Sequence, residues 1–126
     1  MKRVTGFGGL FFKSDDPQKI KEWYRKHLGI QSESWGTQFF WRDDENPQER
    51  GYTAWSVFKK DTTYFQPSEK TFMMNFRVDN LPELLKVLKQ EGVDIIGEMV
   101  EEEFGKFAWV MDPDGNKVKL WEPSGK

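Results

Sequence analysis

The chain contains no cysteine and a single histidine, His27. The first absence excludes disulfides and thiolate chemistry and agrees with a reducing, cytoplasmic setting. The second leaves any general acid–base work to Glu, Asp, Lys or Tyr. His27 falls between Lys26 and Leu28 near the end of a predicted helix. There an imidazole is favoured by the C-terminal dipole, a reading preferred over a ligand role. No stretch approaches the length of a membrane span, and the apolar "GFGGLFF" is too short for a signal core. Basic excess is missing too: the net charge is −2 and the pI about 5.5, which argues against a nucleic-acid partner. No phosphate-cradling glycine loop or serine elbow occurs, since "GFGG" at 6–9 has the wrong spacing and no helix follows it.

Flat rings are plentiful. Aromatics make up 16% of 126 residues, with six Trp and eleven Phe. That surplus can fill a core or line a ligand cavity. With 37% hydrophobic and 32% charged residues, the chain reads as one soluble domain, residues 1–126.

Two helices announce themselves by their caps. In "DDPQKIKEWYRKHLGI", Asp16 caps, Pro17 takes the first helical position and Gly29 stops the run. Its predicted stripe is Ile20, Trp23, Tyr24 and Leu28. In "NLPELLKVLKQEGV", Asn80 and Glu83 form a capping-box pattern, and Leu81, Leu84, Leu85 and Leu88 form the stripe. Sliding the chain by 64 residues lays Phe12 on Phe76, Asp16 on Asn80, Ile20 on Leu84 and Gly51 on Gly115. Strand, cap, helix and turn coincide together, which indicates an internal duplication. Each half then predicts a strand, a helix and three strands. These fall at 5–12, 17–28, 30–35, 37–42 and 53–58, then at 72–78, 81–91, 94–101, 106–111 and 117–122. Module 1 spans about 1–60 and module 2 about 70–123, joined by "KKDTTYFQPSEK". Tyr64 and Phe65 in that linker either cover an opening or tie the halves together.

This paired unit resembles the vicinal oxygen chelate superfamily of glyoxalases, bleomycin-resistance proteins and extradiol dioxygenases. "FFKSDDPQKIKEWYRKHLGI" is similar to that family's first strand and helix, and "MDPDGNKVKLWEP" to its last hairpin. The resemblance implies an α+β fold: two βαβββ modules forming a curled mixed sheet, a cup, with helices on the outer face and the site inside. It also implies a homodimer.

In that frame, strand alternation sorts the side chains. Val118 and Leu120 go under a helix, and Lys117, Lys119 and Trp121 into the cup. Phe72, Met74, Phe76 and Val78 face the helix, and Met73, Asn75 and Arg77 the cup. Leu10 and Phe12 go outward, and Phe7, Gly9 and Phe11 inward. The family's metal-ligand places fall on Gly9, Met73 and Lys119, and the repeat carries Lys119 back to Trp55. Glycine, thioether, indole and ammonium form no site for a hard divalent ion, so no metal and no cofactor is expected. The expected ligand-binding residues are Phe11, Trp55, Met73, Asn75, Arg77, Lys119 and Trp121. Enclosed, Lys119 would bind an anionic group or act as an amine, or else reach the rim and serve only solubility. It is also the best candidate for a catalytic residue. Arg77 suits a carboxylate, or an internal ion pair. Three functions stay open: a metal-free binder of a small aromatic or anionic molecule, a lyase or isomerase with an atypical site, and a non-catalytic interaction protein. The bleomycin-resistance branch implies binding without catalysis, although Lys119 and Arg77 argue against a cationic drug.

Overall fold

Apolar–polar alternation and capped amphipathic runs set the elements in a computed structural model that describes residues 2–125. In chain order they are β1 (Val4–Ser14), α1 (Pro17–Leu28), β2 (Thr37–Arg42), β3 (Arg50–Lys59), β4 (Phe72–Val78), α2 (Leu81–Gln90), β5 (Asp94–Glu102), β6 (Gly105–Met111) and β7 (Lys117–Pro123). The strands form one mixed sheet in the order β2-β3-β1-β4-β7-β6-β5. β1 and β4 meet antiparallel at the centre, β1 pairs parallel with β3, and β4 pairs parallel with β7. The two modules are therefore related across the β1/β4 seam.

Both caps form as their residues dictate. Asp16 accepts from the Lys19 amide at 3.1 Å, and Asn80 from the Glu83 amide at 3.2 Å. Glu122 adds a second acceptor at the start of α2, taking the Leu81 amide at 2.8 Å. The main apolar core lies between α2 and the sheet: Val78, Leu81, Leu84, Ala108, Val118 and Leu120 are buried, with Phe76, Leu85 and Leu88 against them. Val118 and Leu120 thus lie under a helix, as alternation requires.

The sheet is curled. Tyr52 on β3 and Trp121 on β7 are three strand steps apart, about 14 Å in a flat sheet. Their ring centroids nevertheless lie 5.1 Å apart. The side chains converge because the strands bend around a hollow on the face away from the helices.

Three local expectations fail, each for a physical reason. Residues 30–35 form no strand. Glu33 and Gly36 exchange hydrogen bonds of 2.7 and 3.1 Å, and Gly36 has φ 130°, so the backbone closes a tight local turn. Phe7 does not enter the cup. A bulge between Phe7 and Gly9 reverses the alternation and pairs Phe7 with Phe76, ring to ring at 5.6 Å, on the helix-bearing face. On α1, Ile20 and Tyr24 are half-buried, but Trp23 is 49% and Leu28 61% exposed. The Tyr24 and Trp55 rings, 5.0 Å apart, fill the seam beneath the helix, while Trp23 turns outward against His27.

Candidate functional site

Period-two alternation on five neighbouring strands aims one set of side chains into the hollow. It has a volume of about 680 Å³. Tyr52, Ala54, Ser56 and Phe58 of β3 form one wall. Phe107, Lys119 and Trp121 of β6 and β7 form the other, with Phe11 and Asn75 of the central strands between them. Trp35 and Phe104 stand at the mouth, 52% and 63% exposed. Beneath lies a second apolar cluster, in which Phe65 and Met73 are fully buried against Phe11.

Lys119 dominates the electrostatics. Its ammonium lies over Phe107 at 4.4 Å, Phe11 and Tyr64 at 5.4 Å, and Trp109 at 5.8 Å, measured to ring centroids. Burial pulls it down from 10.5 to about 8, against a weaker upward pull from the Glu102 carboxylate. Rings, not an acid, hold this cation. Lys117, two residues earlier on the same face, differs: it is buried but donates to the Tyr64 carbonyl at 2.7 Å. Burial also pushes the Tyr64 phenol up to about 12, so that hydroxyl stays protonated at neutral pH.

Asn75 is 3% exposed and sits in register beside Lys119. Its Oδ1 has no hydrogen-bond donor. A buried carbonyl left in this way costs free energy until something supplies an N–H or O–H. The Trp121 indole N–H, by contrast, is already given to the Phe104 carbonyl at 3.0 Å. Trp121 therefore offers a ligand only its ring, which stacks on Phe107 at 6.4 Å.

Of the seven residues expected to bind a ligand, Phe11, Asn75, Lys119 and Trp121 meet around the hollow. Met73 faces the same side but is sealed beneath Phe11 and Phe65. Arg77 lies beyond Trp121, its guanidinium 5.0 Å from that ring and 5.2 Å from Trp41, and borders a neighbouring polar cleft. Trp55 is on the opposite face, packed on Phe12 and Tyr24 under α1. The reason is a one-residue phase slip. A shift of 64 carries Phe11 to Asn75, but Phe11 pairs with Ser56 while Asn75 pairs with Lys119. Module 1 thus has one residue more between its paired strands, and the counterpart of Lys119 is Ser56. Sequence reasoning missed the whole β3 wall through that slip. It left Phe107 unassigned and Tyr64 with two alternatives; the latter stacks on Phe58 at 5.5 Å and closes the floor of the cup.

The residues present do not fit a divalent ion. The hollow's polar side chains are an ammonium, two carboxamides and hydroxyls, and the ammonium would repel a metal. Among the described residues, no group of three or more His, Asp or Glu side chains is placed to hold one. No helix among them is long and apolar enough to cross a membrane.

Two modules sharing a curled sheet, with helices outside and a side-chain-lined cup inside, define the class. The chain belongs to the glyoxalase/bleomycin resistance protein/dioxygenase superfamily, whose family model matches residues 10–120. Solved structures of similar fold include methylmalonyl-CoA epimerase from Streptomyces coelicolor, in complex with 2-nitronate-propionyl-CoA. It is 12% identical, with a TM-score of 0.70 over 97% of this chain and 99% of that one. Methylmalonyl-CoA epimerase from Mycobacterium tuberculosis is 16% identical, with a TM-score of 0.63 over 98% and 91%. The Mn(II)-bound glyoxalase from Novosphingobium aromaticivorans is 13% identical, with a TM-score of 0.63 over 97% of this chain and 40% of that one. No curated protein matches the sequence. At these identities the likeness carries the fold alone.

Proposed function

We propose that the cup binds a small aromatic or anionic molecule without a metal ion. The observation that carries this reading is Lys119: a desolvated ammonium, held by rings rather than a carboxylate, facing a hollow of about 680 Å³. An anionic group on a ligand would neutralise that charge where water is scarce, and a ring would lie against Trp121 and Phe107. The chemistry argued for this chain comes from its own side chains.

The test is a thermal-shift and calorimetric screen of benzoates, phenols and neutral aromatics. Benzoate-type ligands should raise the melting temperature of the native protein, and Lys119→Met should lose them while keeping neutral aromatics. A broad set without a single hit overturns the reading.

A homodimer belongs to the same proposal. Trp23 and Leu28 on α1 and Phe39 and Phe40 on β2 are each about half exposed or more, apolar side chains of the kind that a second copy would cover. Light scattering at micromolar concentration reads it directly, and a monomer would refute it.

A further inference from the structure

Resting on the reading that the cup takes aromatic molecules, we propose that Lys119 is a nucleophilic amine that forms a reversible imine with an aromatic aldehyde or ketone. Two geometric observations carry this. The first is the isolation of Nζ. It sits among Phe107, Phe11, Tyr64 and Trp109 at the wall of an open hollow. No carboxylate is within ion-pair reach of it among the described residues. An apolar surround of this kind is how proteins free a lysine amine for attack on a carbonyl.

The second is Asn75. Asn75 pairs with Lys119 in the β4/β7 register, and its Oδ1 is buried without a donor. A carboxylate on Lys119 brings no donor for that oxygen. A carbonyl compound does once it reacts. The Nζ lone pair adds to the carbonyl carbon, the π pair moves to oxygen, and the proton shed by nitrogen ends on that oxygen as the carbinolamine hydroxyl. Water then leaves as the carbon–nitrogen double bond forms. The carbinolamine O–H is a donor of the kind that the Asn75 carboxamide lacks. Amine and carbonyl give imine and water, and no oxidant or reductant is needed.

The protonation balance agrees. The groups facing Lys119 are Glu102, which raises it, Lys117, which lowers it, and the un-ionised Tyr64; burial outweighs them. With Lys119 lowered to about 8, the free-amine fraction at neutral pH is roughly 200 times that of an ordinary lysine. Reduced basicity takes back roughly tenfold if the amine follows a Brønsted slope near that of thiols. A net preference of about twentyfold over each surface lysine remains.

The experiment traps the imine. The full-length protein is incubated at pH 7.5 with benzaldehyde and cyanoborohydride, then digested and mapped. Among the lysines, Lys119 should take a benzyl group first, about twentyfold faster than the surface lysines. It should be lost in Lys119→Arg, which keeps the charge without a nucleophilic amine. Labelling that spreads evenly over the lysines, or that persists undiminished elsewhere while Lys119 stays unmodified, overturns the proposal. Benzyl alcohol and benzoate, which cannot form an imine, separate this from the underlying reading. If they shift the melting temperature while no adduct forms at Lys119, the imine is wrong and the binding cup stands. If neither they nor an adduct is seen, both fail.

Discussion

Replacing Lys119 by Met should stabilise the protein, and by an amount that depends on pH. Lys119 drops from 10.5 to about 8 on folding because burial disfavours its ammonium. Its folded value lies below its unfolded one, so the unfolded chain holds more protons between those limits. The penalty is therefore fully present below about pH 8 and is relieved as pH rises toward 10.5. A shift of that size is worth about 3 kcal/mol, and partial access to water reduces it to about 2. Methionine fills similar volume, carries no charge and packs well against the surrounding rings. Urea unfolding at pH 7 should show the variant more stable by about 2 kcal/mol, a midpoint shift of about 1 M. At pH 9.5 the gap should fall by more than half. Comparing the variant with the native chain at each pH cancels the titration of all other groups. A gap that is absent at pH 7, or that does not change by pH 9.5, refutes the reasoning: the amine would then be solvated and the cup open to water.

Three further outcomes follow from the same geometry. Benzoate affinity, measured by calorimetry, should fall about tenfold per pH unit above pH 8, because the ammonium that receives the anion is lost there; a flat profile to pH 10 excludes Lys119 as the receptor. Glu122→Gln weakens the acceptor for the Leu81 amide at the positive end of α2 and should cost about 1 kcal/mol in urea unfolding, with no loss meaning that water replaces it. Gly36→Ala would drive a Cβ into the Trp55 carbonyl oxygen at a φ of 130°. It should lower stability by about 2 kcal/mol or more and displace Trp35 at the mouth of the cup, seen as a changed fluorescence spectrum.

The second module's cup strands, β4 and β7, are legible in the sequence because nothing interrupts their periodicity. Phe72–Val78 and Lys117–Pro123 alternate without a bulge, so Val118, Leu120, Asn75 and Lys119 take the faces that the pattern assigns them. The first module was less so. A bulge after Phe7 and one additional residue before β3 are each single-residue events, and with a period of two each exchanges every face beyond it. That is why uninterrupted alternation sends Phe7 and Trp55 to the cup and leaves Ser56 and Tyr52 out of it. Two tryptophans alike in sequence, Trp55 and Trp121, end on opposite faces of one sheet. The curl itself has no local code. It becomes visible only when rings three strands apart touch, as Tyr52 and Trp121 do.

The alternation of β7 also separates what folding requires from what the cup contains. Val118 and Leu120 satisfy the core beneath α2, and that face gains nothing from the residue between them. On the other face, rings over a desolvated ammonium return about 1–2 kcal/mol for each well-placed pair, yet the downward displacement of Lys119 shows that they do not fully offset its lost hydration. A leucine or methionine at 119 would cost the fold nothing and would fit the same rings. The charge at that position is thus independent of the packing that builds the sheet, and so is the donorless oxygen of Asn75 beside it. Lys119 opens onto the apolar hollow and the Asn75 oxygen is buried at its wall, so a guest that brings an acceptor or an electrophile to the first balances the group that the fold leaves uncompensated there.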